Sequence, residues 1–468
     1  MSTAIGRVGR NFTILAVSQV ASRLLAFAVT IYLTRTLLPG RFGAVAFATS
    51  LLPCAGLLVD FGFDSLGPLE VARSWKAGTL LARIVVRWRL TMLLPAGALL
   101  AAFAFAAPIE PLTRTVLLLY GLSLLANALD LNWYFLGRGH MRPVALADLG
   151  CQALITAASL LLVNTPEHVL RVPVIFFGAR MLTVLWLALQ FRRERDSAPA
   201  DSARPALRPL LHQSLPFLGS AAIGVLRQYF DLILVGVWLG SEAAGIYGAA
   251  YRFVWVPILF MGAYLTALRP TMVQTAQRGE EDLRHLMRRV MPPVAAFGGG
   301  VTVGGVILAN PLIALVFGEA YRGAVVPFQL LLVAFLVMTL SRPFRLLLVA
   351  NHGVDVDLRI MAVSAAVNVL ANLALVPTLG LAGAATTNVI SEVLILVLTF
   401  FAVRSTAMKS FPVETAIKLL ACLVVMTAVL LLGSNVPTLP RAALGAACYV
   451  AMLFASRTVK LEDLSDVR

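Results

Sequence analysis

Apolar runs of membrane-spanning length follow one another along almost the whole chain. A helix needs about 20 apolar residues to cross the hydrocarbon core. Fourteen runs approach or exceed that length: 12–33, 42–66, 85–107, 115–136, 144–163, 172–191, 214–238, 244–268, 290–316, 326–350, 360–377, 381–403, 414–433 and 442–456, the last being the shortest. They do not alternate polar and apolar residues as barrel strands do, so each reads as a helix. Composition agrees: of 468 residues, 59% are apolar and 13% charged, against about 25% charged in soluble domains. A soluble enzyme, a disordered chain and a collagen-like chain are thereby excluded. The expectation is an all-α polytopic membrane protein. The first run reads as a retained span, because it is too long for a cleaved signal and Arg23 interrupts it.

The formal net charge of +15 would suggest nucleic acid in a soluble chain. Here the basic residues alternate between connections. One set, with both termini, holds 25 Lys or Arg, including Arg87, Arg138, Arg192, Arg193, Arg288 and Arg289. The other set holds six: Arg35, Arg41, Arg114, Arg171, Arg322 and Arg441. Seven remain inside spans. Basic loops stay in the cytoplasm, so the charge predicts a multi-pass protein of the bacterial inner membrane with both termini cytoplasmic, and no nucleic-acid partner. Cys54, Cys151, Cys422 and Cys448 lie inside apolar runs without a CxxC spacing, and read as small hydrophobes. No HExxH or GxxxxGK[ST] occurs, so neither metal nor cofactor is expected. Connections on the sparsely basic side span about ten residues or fewer, too short to carry the catalytic loop of a membrane polymerase or ligase. A non-enzymatic role is expected.

The segment 192–213 is the one sizeable polar stretch, and its Pro, Ala and Arg content reads as a linker. It divides an N-lobe, 1–191, from a C-lobe, 214–403, each with six spans; the last two spans and a cytoplasmic tail occupy 404–468. The lobes resemble each other at an offset of about 201. FGAVAFATSLLP opens the second span and AAGIYGAAYRFVWVP the eighth; Gly78, Arg83 and Arg87 fall opposite Gly279, Arg284 and Arg288. Units with an even number of spans make the repeat parallel, so the lobes are pseudo-symmetric about an axis normal to the membrane, as in two-lobed transporters.

An ionisable group at the bilayer centre costs at least ~2.5–3.5 kcal/mol, so it faces protein or a wet cavity. Arg23 lies mid-span in the first helix, Arg227 in the seventh and Arg252 in the eighth. Guanidinium forks match phosphate geometry, so a cavity holding these three favours an anion, above all a pyrophosphate. Asp231 follows Arg227 by one turn, on the same face. The two form either a neutralised pair or a pair that opens when substrate phosphate competes. Asp60 and Asp64 lie one turn apart at the cytoplasmic end of the second span, with Asp130 and Asp148 near other cytoplasmic ends. Gating bridges to Arg83, Arg138 or Arg142, or solvated helix ends, both fit. Arg180, Arg342, Arg345 and Glu392 also fall within spans. Arg342 and Arg345 are placed to meet an entering anion or to snorkel, and Glu392 is a candidate proton or cation site.

Several segments resemble the oligosaccharide-lipid flippases, the Wzx-type polysaccharide transporters of the multidrug/oligosaccharidyl-lipid/polysaccharide exporter superfamily. They are LTRTLLPGRFGAVAFATSLL, LLVDFGFDSLGPLEVARS, SLPFLGSAAIGVLRQYFDLILVGVWLGSEAAGIYGAAYRF, LIALVFGEAYRGAV and NVLANLALVPTLGLAGAATTNVISE. In the last, Asn368, Asn372, Pro377, Gly380, Gly383, Ala384, Ser391 and Glu392 stand where the family's recurring residues are expected. Taken alone, Pro377 and Gly380 make a tight turn, and Gly383-Ala384 permits close helix packing. The resemblance implies a MATE-like, two-lobed alternating-access fold. It implies a polyprenyl-pyrophosphate-linked glycan as substrate, membrane lipids as surroundings, and a polysaccharide polymerase and glycosyltransferases as possible partners. Related peptidoglycan-precursor flippases place arginines in the first and eighth helices of a central cavity, where Arg23 and Arg252 fall here. On this reading the substrate-binding set is Arg23, Arg227, Arg252 and Arg345, and the gating or ion-coupling set is Asp231, Asp60, Asp64 and Glu392. The rivals are a peptidoglycan-precursor (lipid II) flippase and a cation-coupled multidrug exporter.

Overall fold

Backbone in hydrocarbon must satisfy its own hydrogen bonds, which leaves helices as the outcome for apolar runs like these. The computed structural model describes residues 2–73, 75–195, 206–351, 353–404, 413–456 and 458. The centre of the expected linker, most of the connection 404–413 and the C-terminal tail lie outside the described residues. Among the described residues, twelve helical stretches are long and apolar enough to cross a membrane. Two of these are each two spans joined by a sharp break. Ser2–Asp60 breaks at Leu38, with φ 62 and ψ 167, and Val354–Ala402 breaks at Gly380, with φ 59 and ψ −134. Fourteen spans result, as the apolar runs predict.

The breaks are written in the sequence. Pro39 follows Leu38, and a residue before proline is pushed out of helical geometry, while proline itself suits a helix start. Gly380 supplies the positive φ that a side chain resists. Three residues on, a Cβ at Gly383 would collide with the Leu375 carbonyl, so the hairpin of spans eleven and twelve closes backbone to backbone.

Two spans differ from the expected runs. The fourth is three short helices, Pro111–Gly121, Ser123–Leu129 and Asn132–Gly137. The ninth is Glu280–Ile307, followed after Leu308 by a separate helix, Ala309–Phe317. Helix Glu280–Ile307 begins ten residues before the apolar run at 290 and carries Arg284, Arg288 and Arg289 on its added turns. Hydropathy marks where a helix enters lipid, whereas the helix itself continues into the aqueous margin.

Two compact units emerge, Met1–Gly248 and Ala249–Arg468. The first contains spans one to seven and the opening turns of span eight. Its core gathers Phe63, Leu66, Trp133, Tyr134, Phe135 and Val144 around the end of span two and the last piece of span four. In the second unit Met287, Met291, Val294, Phe344 and Leu347 build an equivalent core. Leu94, Leu161 and Leu432 are among many large apolar side chains left exposed. A soluble surface would not tolerate so many; a lipid-facing one requires them.

Candidate functional site

In the first unit the polar interior is organised by Arg89 of the third span, Gly78–Ala106, which is 1% exposed. Its Nη2 donates to Oδ1 of Asp60 and, at 2.7 Å, to Oδ1 of Asp64. Its Nη1 donates at 3.1 Å to the Asp130 carbonyl. The guanidinium also lies over the Trp133 ring, 5.9 Å from its centroid. Each acceptor is presented by a helix break. Phe61 and Gly62 take positive φ after Asp60, and Asp60 accepts the Gly62 and Asp64 amides, both at 3.0 Å. Asp130 is extended, with ψ 130, and its Oδ1 accepts the Asn132 amide at 2.9 Å. That break frees its carbonyl for Arg89, as helix ends leave carbonyls without intrahelical donors. Arg180 donates to Asn127 at 3.4 Å and lies within electrostatic reach of Asp130 and Asp148.

The carboxylates Asp60 and Asp64 therefore converge, as their one-turn spacing suggests, but the residue between them is Arg89. From the sequence alone Arg83, Arg138 and Arg142 are the gating candidates, and Arg89 falls among the 25 basic residues of the cytoplasmic set. A partial signal was present: Arg87 and Arg89 both open the apolar run 85–107, and Asp60 and Asp64 need a cation. What sequence lacks is the inward turn of that side chain. Arg87, two residues away, is exposed.

Asp231 is 2% exposed and accepts the Tyr247 hydroxyl at 2.6 Å. Arg227, one turn earlier, is half-buried, and Arg23 is exposed. Arg23 and Arg227 belong to the first unit; Arg252 and Arg345 belong to the second. Arg252 is half-buried and within electrostatic reach of Tyr321. Arg345 is clasped by Asp357 in a two-pronged pair, Nε to Oδ1 at 2.7 Å and Nη2 to Oδ2 at 2.9 Å. Its fork is thus engaged from the first turn of span eleven, a partner that the sequence reading did not weigh. Glu392 is half-buried beside a ladder of buried polar groups joining spans eleven and twelve. There Asn372 donates to Asn368, Asn368 donates to Ser391 at 3.0 Å, and Ser391 donates to the Thr387 carbonyl at 2.8 Å.

Span number, hairpin breaks and polar groups held inside the spans together define a multi-pass, all-helical membrane fold. The chain belongs to the polysaccharide biosynthesis protein family, which matches residues 8–276. Curated relatives include the teichuronic acid biosynthesis protein TuaB of Bacillus subtilis (strain 168), 26% identical over 138 residues, 30% of this chain and 29% of that protein. The lipopolysaccharide biosynthesis protein WzxC of Escherichia coli (strain K12) is 25% identical over 33% of this chain and 34% of its own length. The chain therefore aligns with about a third of either relative or less. A putative O-antigen transporter of Escherichia coli (strain K12) is 20% identical over 74% of this chain and 84% of that protein. Among solved structures, the lipid II flippase MurJ in an inward closed conformation superposes with a TM-score of 0.77 at 12% identity, covering 95% of this chain and 99% of that one. An inward-facing multidrug resistance MATE transporter gives 0.66 at 15% identity, covering 83% and 95%.

Proposed function

We propose that this protein is a flippase that moves a polyprenyl-pyrophosphate-linked oligosaccharide from the cytoplasmic to the periplasmic leaflet by alternating access. The O-antigen, capsule or exopolysaccharide repeat unit is the proposed headgroup. The family and the names of its relatives support a glycan pathway, and the fold shared with a lipid II flippase supports a lipid-linked cargo. The observation that carries the reading furthest is the placement of Arg23, Arg227 and Arg252 within spans. Keeping guanidinium groups there is costly in hydrocarbon, and a dianionic pyrophosphate offsets that cost. On this reading the three arginines bind the headgroup and Arg345 meets it on entry, once the headgroup competes with Asp357. Asp231, Asp60, Asp64 and Glu392 serve gating or coupling. The tail stays in lipid and follows laterally. On this reading the basic connections and both termini lie in the cytoplasm of an inner-membrane protein, with glycosyltransferases supplying the substrate and a polymerase consuming it.

The test is single replacement of Arg23 and of Arg252 with Ala, with insertion confirmed and surface polymer measured. Each is expected to reduce export about tenfold or more, from loss of a charge-assisted hydrogen bond worth about 1.5–3 kcal/mol. Full export by both variants would remove the arginine-lined site. The MurJ-like fold also supports a second reading, a lipid II flippase. Rescue of a cell depleted of its own lipid II flippase separates the two, since a flippase for a surface glycan does not restore wall synthesis.

A further inference from the structure

The helix of span thirteen, Val413–Leu432, packs on spans nine and fourteen. Cys422 and Met426 are buried on that side. The neighbouring face of the same helix, with Ala416 and Leu420, lines a groove of about 850 Å³. Met291, Ala295 and Gly299 of span nine form a second wall, and residues of spans ten and twelve, Phe400 among them, close the rest. None of the lining residues carries a charged, hydroxyl or amide side chain. Protein interiors pack to crystal density and leave few voids larger than a water molecule, and an apolar cavity stays dry. In a bilayer, a groove of this size and lining is filled by acyl chains.

The span-nine wall continues past the groove as a basic edge. Arg284, Arg288, Met291, Ala295 and Gly299 recur at intervals of three or four residues, which makes one stripe along helix Glu280–Ile307. At 1.5 Å per residue, Arg288 stands about 4.5 Å and Arg284 about 10.5 Å beyond Met291. The headgroup layer extends about 5–7 Å beyond the hydrocarbon core on each side. Helical side chains lean toward the N-terminus, so both guanidiniums reach away from the groove, to the level of lipid phosphates. Arg288 is exposed. Arg284 donates from Nη2 to Glu280 at 2.8 Å, while its Nε is buried without a hydrogen-bond partner. Arg404, just past the end of span twelve, is exposed. Glu414, at the start of span thirteen, is occupied by Lys418 at 2.6 Å. Glu281 and Asp282 stand about 14–15 Å beyond Met291, outside the headgroup layer. Glu280 offsets one of the three arginines, and the edge stays positive.

We propose that this groove seats a resident anionic phospholipid of the leaflet on the strongly basic side of the membrane. Its acyl chains lie against spans nine, ten, twelve and thirteen, and its phosphate is held by Arg288, Arg404 and the Nε of Arg284. The lipid fills the space that protein side chains leave open and so binds span thirteen to the six-span lobe. Guanidinium forks match phosphate geometry, and basic residues at the headgroup level attract anionic lipid. A zwitterionic headgroup carries its own cation and gains less. The tail of a translocated substrate is a poorer fit. None of the lining residues belongs to spans one or seven, which carry Arg23 and Arg227, and the basic edge lies at the headgroup level, not mid-span. The inference needs only the membrane-spanning fold and stands apart from the proposed cargo.

The test uses the full chain, stripped of lipid in detergent and titrated with dioleoyl phosphatidylglycerol or dioleoyl phosphatidylcholine. Lipid bound per protein is read by native mass spectrometry, and the melting temperature is followed alongside. Phosphatidylglycerol is expected to bind saturably, at least about tenfold tighter than phosphatidylcholine, and to raise the melting temperature. Arg288→Gln with Arg404→Gln is expected to erase that preference and leave phosphatidylcholine binding unchanged. Ala416→Phe, which fills the groove, is expected to weaken both lipids. The control is Arg192→Gln with Arg193→Gln, two exposed arginines at the end of span six, expected to change neither. Equal affinity for the two lipids, or equal losses from both arginine pairs, would leave only diffuse surface charge and overturn the site. Undiminished binding by Ala416→Phe would overturn it too, as would an equal rise in melting temperature with inorganic phosphate alone. A polyprenyl phosphate that displaces phosphatidylglycerol at equal or lower concentration would give the groove to a cargo tail and sink the resident lipid. No readout uses transport, so a protein that keeps the preference but exports no glycan retains the lipid site and loses the proposed cargo.

Discussion

Arg89 shows how one side chain can hold three segments. Its guanidinium ends the second span through Asp60 and Asp64 and secures the break in the fourth through the Asp130 carbonyl. Burying it costs solvation, and that cost is met by the partners gathered around it, the less exposed ones above all. Arg89→Ala is expected to destabilise the fold by about 3 kcal/mol, at the low end for a broken buried pair, because Asp64 remains 67% exposed and resolvates easily. Asp64→Asn, which removes the water-exposed arm, is expected to cost about 0–1 kcal/mol. Thermal unfolding of the purified variants in detergent checks the order; equal losses from both would contradict the buried hub. The acids were legible in the sequence as a pair one turn apart. Their partner was not, because two arginines two residues apart on a helix point to different sides, and only packing selects the one turned inward.

Among the elements, the hairpins were the most legible parts. Leu-Pro and a Pro-x-x-Gly spacing announce turns between apolar runs, and the backbone breaks at Leu38 and Gly380 as those signals require. Gly380→Ala is expected to destabilise by about 1–2 kcal/mol, since its left-handed conformation is strained for any L side chain. Gly224→Ala is expected to do the reverse. It sits inside helix Leu207–Trp238 with open space around it, so the gain in helix propensity of about 0.5–1 kcal/mol is unopposed. Melting temperatures that move in the same direction for both would refute this account. The broken fourth span was illegible. Its residues are apolar enough to pass as one helix, and the interruptions at Leu122 and at Asp130–Leu131 depend on partners that stabilise the exposed backbone groups, Arg89 among them.

For the whole molecule, orientation remains the property most directly set by composition. Fusing a cytoplasm-dependent fluorescent protein to either terminus is expected to give fluorescent cells. A periplasm-dependent phosphatase in the connection around Arg441 is expected to be active. An active phosphatase at either terminus would invert the assignment. Apolar patterning along the chain was enough to give helices and fourteen membrane crossings. Those properties follow from transfer free energy and turn chemistry, which act along the chain within a window of some 20 residues. Which charges face one another, and which distant turns touch, came from the folded arrangement alone. Arg345 turned out to be engaged by Asp357, Arg89 to be buried, and Gly43 to touch Gly245 across 202 residues. Such contacts are chosen by the shape and charge complementarity of segments far apart in the chain, which hydropathy and spacing do not encode.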